Sequence, residues 1–125
     1  MAFTGNFMCT SFKVELLKGV HNFTNGANAF KIALYTNSAS FTAATTAYTT
    51  ANEVPNSGSY SAGGGTLTNV TPTSTGTTAF LDFANFDFTS ATITARGALI
   101  YNSTAAGNPT VAVLDFGSDK TSTTG

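Results

Sequence analysis

Charge is what this sequence has least of. Lys, Arg, Asp and Glu together make up 9% of the chain, against a usual share of about 25%. The five cations, Lys13, Lys18, Lys31, Arg96 and Lys120, are scattered and are matched by six acids. There is therefore no basic stripe of the kind that neutralises phosphates, and nucleic acid is excluded as a partner. Cysteine is reduced to one residue, Cys9. That excludes an internal disulfide and every zinc pattern built on paired cysteines, and Cys9 reads as a small buried side chain. With His21 as the only histidine, no nucleophile and base can be argued into a triad; at an expected helix end, His21 suits capping or packing. No apolar run approaches the roughly 20 residues of a membrane span. The opening Met-Ala-Phe-Thr-Gly-Asn lacks the basic region and apolar core of a secretion signal, so synthesis in the cytoplasm is expected.

What replaces charge is Thr, Ser, Asn and Gly over a framework of eleven Phe. Those aromatics offer enough apolar surface to offset the entropy of ordering. The 125 residues have the length of one ordinary domain, 1–125. A neutral, hydroxyl-rich surface is poor for the solubility of a lone monomer, so much of it is expected to face other subunits.

Periodicity divides the chain. In TSFKVELLKGV, residues 10–20, the positions Phe12, Leu16 and Val20 recur at helical spacing and predict a short helix packed on a sheet. In FKIALYT the pattern changes to two, with Phe30, Ile32 and Leu34 expected on the buried face of a strand. Residues 37–57 read as a long loop with one helical turn near Ala43 to Tyr48. Further strands are expected at about Thr66 to Val70, through Phe86 and Phe88 after a break at Ala84 and Asn85, at about Ile93 to Asn102, and at Thr110 to Phe116, with Asp82 interrupting the group of Phe80, Leu81 and Phe83 as a solvent-facing or turn residue. The fold class that results is mainly β: a β-sandwich or partly closed barrel of six to seven short antiparallel strands with one short N-terminal helix. Residues 117–125 carry no apolar anchor after Phe116 and are expected to form an extended or partner-held tail.

Candidate chemistry is sparse. The carboxylate pairs Asp82 with Asp87 and Asp115 with Asp119 lack a glycosidase-like or EF-hand arrangement and read as solvated or turn residues. Gly117-Ser118-Asp119-Lys120-Thr121 has Asp where a phosphate loop needs Gly before its Lys. Gly63 to Gly65 read as a flexible or bulged connection, and the Asn-x-Thr triplets at Asn22, Asn69 and Asn102 reflect composition. No catalytic residue, cofactor or metal site is expected. Arg96, beside Gly97, is expected to bond a carboxylate among Asp82, Asp87 and Asp115, within the fold or across a subunit contact. Arg96, Asp115, Asp119 and Lys120 form the candidate contact set. Tyr48, Tyr60 and Tyr101 are the candidates for a sugar-binding platform.

SFKVELLKGVHNF, FKIALYT, TTAYTTANEV followed by GSYSAGG, ARGALIYN and VAVLDFGSDK, taken together and in order, resemble a family of small phage-encoded virion proteins. The resemblance covers most of the chain. It departs in one respect: family members continue past Gly-Ser-Asp-Lys into one more apolar strand, which this sequence does not contain. The resemblance implies a non-enzymatic virion component whose partners are other virion proteins, the major capsid protein or tail proteins. A capsid decoration or cement protein is the first expectation, and a tail or fibre module contacting a host glycan is the alternative. Strand edges with few charges imply a homo-oligomer, with a trimer favoured over a dimer.

Overall fold

A computed structural model describes residues 3–125 and is mainly β, with seven strands in two antiparallel sheets and one short helix. In chain order these are β1 (Phe7–Met8), α1 (Thr10–Leu17), β2 (Phe30–Tyr35), β3 (Gly65–Leu67), β4 (Asn69–Thr75), β5 (Thr78–Phe83), β6 (Thr94–Asn102) and β7 (Thr110–Thr121). Five strands form one sheet in the order β1-β7-β6-β2-β3, while β4 and β5 pair only with each other. The main sheet does not close into a barrel.

The central strands are the most apolar segments, and the main sheet takes part in two buried clusters. The larger gathers Phe12, Phe23, Phe30, Tyr35, Leu99 and Val113. The smaller gathers Val54, Tyr60, Ala91, Ile93 and Ala95, with Leu34, Phe88 and Phe116 packed against it. This division corrects the expectation for β2, where Ala33 and Tyr35 are fully buried and Ile32 and Leu34 only partly so. A strand that packs against apolar residues on each side has no polar face from which the alternation can be read.

The helix also differs from its expected form. It ends at Leu17, and Gly19 leaves it with a φ of +74°. Phe12 is buried, but Leu16 is 46% and Val20 37% exposed. Phe12 packs instead against rings that fold back behind the helix, His21 at 5.0 Å and Phe23 at 5.9 Å between centroids.

Three other segments depart from the sequence reading. The expected strand through Phe86 and Phe88 does not form: β5 runs through Asp82, the expected interruption, and ends at Phe83, while Phe88 rests against Tyr60 with ring centroids 4.8 Å apart. Residues 43–48 form no helical turn, and the loop is pinned by isolated bridges from Tyr35 to Glu53 and from Ala47 to Pro109. Residues 117–125 are bonded within the chain. β7 continues to Thr121, where Thr121 pairs with Thr94 and Lys120 with Ala95, and Ser122 exchanges backbone hydrogen bonds with Ile93. Backbone pairing, with the Ser122 hydroxyl donating to the Ala91 carbonyl at 2.8 Å, supplies the anchor in place of an apolar side chain.

Candidate interaction surface

The ladder between β6 and β7 slips at Arg96. Ala95 pairs with Lys120 but Gly97 pairs with Asp115, so Phe116 to Asp119 bow outward opposite a single arginine. Gly117, at a φ of +82°, turns this excursion. At its base Arg96 Nη1 bonds Asp115 Oδ1, and Nη2 donates to the Phe3 carbonyl at 3.3 Å. Asp115 also accepts from the Gly117 amide at 2.8 Å. That amide first, and Arg96 second, hold the Asp115 carboxyl below the usual carboxylate range. Among the expected contact residues, Arg96 and Asp115 are thus joined inside one chain, while Asp119 and Lys120 lie exposed on the outer strand.

The tyrosines are not a platform. Tyr60 and Tyr101 are buried, and half-buried Tyr48 stacks on Tyr101 at 4.6 Å. The Tyr48 and Tyr60 hydroxyls converge on Glu53, a residue for which the sequence alone suggests no role. Tyr48 donates to Glu53 Oε1 and Tyr60 to Oε2, each at 2.6 Å, and the Gly63 amide donates to Oε2 at 2.8 Å. Tyr101 donates to the Gly63 carbonyl at 2.5 Å. Burial raises all four tyrosine hydroxyls, Tyr101 to about 12 and Tyr35, Tyr48 and Tyr60 higher. The signal available in the sequence was that Glu53 is the one acid between Glu15 and Asp82, flanked by Tyr48 and Tyr60.

His21 is likewise internal. Asn102 Nδ2 donates to His21 Nδ1 at 3.0 Å, which leaves Nε2 to donate to Glu15 at 3.1 Å. Asn102 Oδ1 accepts the amides of Thr104 and Ala105 and so ties the turn after β6. Two of the Asn-x-Thr asparagines, Asn69 and Asn102, are buried. Cys9 is also fully buried, and burial pushes its thiol up. Among the described residues no cluster of three His, Cys, Asp or Glu side chains could hold a metal ion, and no helix is long and apolar enough to cross a membrane.

Glu53, His21, Arg96, Asn102 and Asp115 are therefore spent on internal bonds, while several apolar groups stand outside. The hairpin of β4 and β5 is an exposed arm beyond its base, where Asn69 pairs with Phe83. Phe83 packs near Phe23 and Phe30 at 6.2 and 5.8 Å. Pro72 lies in the register break between Val70 and Thr73, a position where a missing N–H is tolerated. Farther out, Val70, Phe80 and Leu81 are 44–47% exposed. On α1, Leu17 is 91% and Val14 49% exposed. A groove of about 680 Å³ opens beside the β7 excursion, with Leu34, Phe88, Ile93, Ala95 and Phe116 among the residues lining it.

Compared with protein-family models, with curated proteins and with solved structures, the chain matches none of them.

Proposed function

We propose that this chain is a structural subunit of a bacteriophage particle, acting as a capsid decoration or cement protein that fastens shell subunits through neutral, shape-complementary contacts. The observation that carries the reading is the placement of exposed apolar side chains. Val14, Leu16 and Leu17 on the helix and Val70, Phe80 and Leu81 on the arm are uncovered on a chain with only 9% charged residues. Exposed apolar groups with little charge around them gain free energy when another protein covers them. Two such elements allow one subunit to touch the shell and a neighbour at once. The segment-by-segment resemblance to small phage virion proteins supplies the particle. The subunit works as a homo-oligomer, with a trimer the first expectation by analogy with phage architecture.

The test is quantification of the protein in purified particles together with shell binding by the purified chain. A copy number close to that of the major capsid protein, and shells that resist heat better when decorated, are expected. A few to a few dozen copies would move the protein to the tail, and absence from particles would overturn the reading. Of the tyrosines named for the glycan alternative, Tyr60 and Tyr101 are buried and Tyr48 half-buried, so glycan-array binding is expected to be negative.

A further inference from the structure

The β4–β5 arm and the groove beside β7 are two uncovered features of opposite shape on one chain. The face of the arm that bears Phe80 also bears Val70 and Asp82. Asp82 pairs across the hairpin with Val70, and Phe80 follows two residues before Asp82 on the same strand. Asp82 is the only charged residue from Asn69 to Phe83. The arm therefore presents Phe80 and Val70 among Thr73, Thr75 and Thr78, with one carboxylate near its root. The groove has an apolar floor, Lys120 as its sole cation, and Asp87 as its sole anion. Lys120 and Thr121, which line it, lie on the half of β7 that β1 leaves unpaired, since β1 pairs only with Val113 and Ala112 farther along that strand.

From this juxtaposition we infer that the groove is the seat of the β4–β5 arm of a second copy of this chain, with Phe80 entering the apolar floor and Asp82 meeting Lys120. The inference rests on the reading of the chain as an assembly subunit and names its partner. A second copy is the occupant that covers both features at once: each chain lends its arm to one neighbour and its groove to another. The arm places its single charge opposite the one cation of the groove. The base of the arm is fixed by Phe83 against the core and by the Asn25 amide bonded to Thr71 Oγ1 at 3.0 Å, while Val70 and Phe80 stay 44% and 47% exposed. A head-to-tail contact of this kind closes into a ring when the rotation permits and otherwise runs on as a filament.

The experiment is sedimentation velocity of the full chain over a concentration series, with variants at both surfaces. Wild type is expected to associate. Phe80→Ser is expected to weaken association at least tenfold while circular dichroism and melting temperature stay unchanged. Asp82→Lys and Lys120→Glu are each expected to weaken it, and an equimolar mixture of those two chains to regain it. The mixture permits a lysine arm in a glutamate groove as well as the native pair. A wild type that stays monomeric, association indifferent to Phe80→Ser, or a mixture as weak as its components would overturn the contact. Shell binding is scored separately. Monomers that decorate shells at full copy number refute the arm-and-groove contact and leave the particle role standing; arm-dependent oligomers that ignore shells do the reverse.

Discussion

The Tyr60 hydroxyl stands between two strangers in sequence: it donates to Glu53 at 2.6 Å and accepts the Leu34 amide at 2.9 Å. Glu53 thereby ties the loop after β2 to β2 itself, at Leu34. Replacing Glu53 by Ala leaves two tyrosine hydroxyls and the Gly63 amide without their acceptor. At about 1–3 kcal/mol for each unsatisfied buried group, with partial relief by water, a net loss of about 2–4 kcal/mol is expected in urea unfolding. A loss under about 0.5 kcal/mol would show that the cluster is dispensable.

The same cluster sets an alkaline limit. Unfolded tyrosine titrates near pH 10, whereas burial raises all four hydroxyls in the fold, Tyr101 to about 12 and the others higher. A pKa raised by folding gives stability that is whole below the unfolded value and is lost as pH rises through the folded one. Unfolding free energy is therefore expected to decline above about pH 10, with tyrosinate absorbance appearing together with loss of the β-sheet signal. Tyrosinate absorbance near pH 10 in a chain that stays folded would contradict the buried placement.

At the acid end Asp115 acts in the opposite sense. Its folded pKa is depressed, so its stabilising effect is present at neutral pH and fades as pH falls through the ordinary carboxylate range and below. Arg96→Lys cannot reproduce the fork that reaches both Asp115 and Phe3. Lower stability at pH 7, with a smaller acid-side decline than wild type, is expected from pH-dependent melting; identical curves would show that the pair contributes nothing.

The helix offers a paired test. Phe12→Ala is expected to cost about 3–5 kcal/mol as a buried aromatic, and Leu16→Ala, at a half-exposed site, under about 0.5 kcal/mol. The reverse order in chemical denaturation would restore the regular stripe as the packing face.

Two glycines with nearly the same backbone angle separate conformation from space. Gly107 has a φ of +82° and open surroundings, whereas at Gly64, with a φ of +81°, a Cβ would lie 1.8 Å from the Ile32 carbonyl oxygen. Gly107→Ala is expected to cost about 1 kcal/mol. Gly64→Ala must also displace β2 backbone, and a loss above about 3 kcal/mol is expected. Equal losses would show that the close approach is easily relieved.

The mainly β class, the short helix and the positions of β2, β6 and the first half of β7 were legible in alternation and turn residues. The faces were not. Alternation reads burial only when one side of a strand is wet, and β2 has apolar neighbours in both clusters. The end of β7 carries no hydrophobic signal because backbone bonds hold it. Arg96 was legible as a carboxylate-bonding residue from its chemistry and its neighbour Gly97. Glu53 was not, since its three donors come from Tyr48, Tyr60 and Gly63, which only the folded loop brings together. The arm left one trace: Phe80 and Leu81 are adjacent, so on any strand they point to opposite sides.

The pairing of β1 with β7 and of β2 with β6 also governs the order in which the molecule can assemble itself. As the chain emerges amino end first, the only ladders available before residue 94 are the short one between β2 and β3 and the hairpin of β4 with β5. Phe12, Phe23 and Phe30 must wait for Leu99 and Val113 to bury them. The nascent chain thus carries its stickiest residues uncovered until its last strands appear, which makes folding slow and places the hazard of aggregation ahead of completion. Few charges along the way restrain it, so the growing chain stays prone to association until β7 is in place.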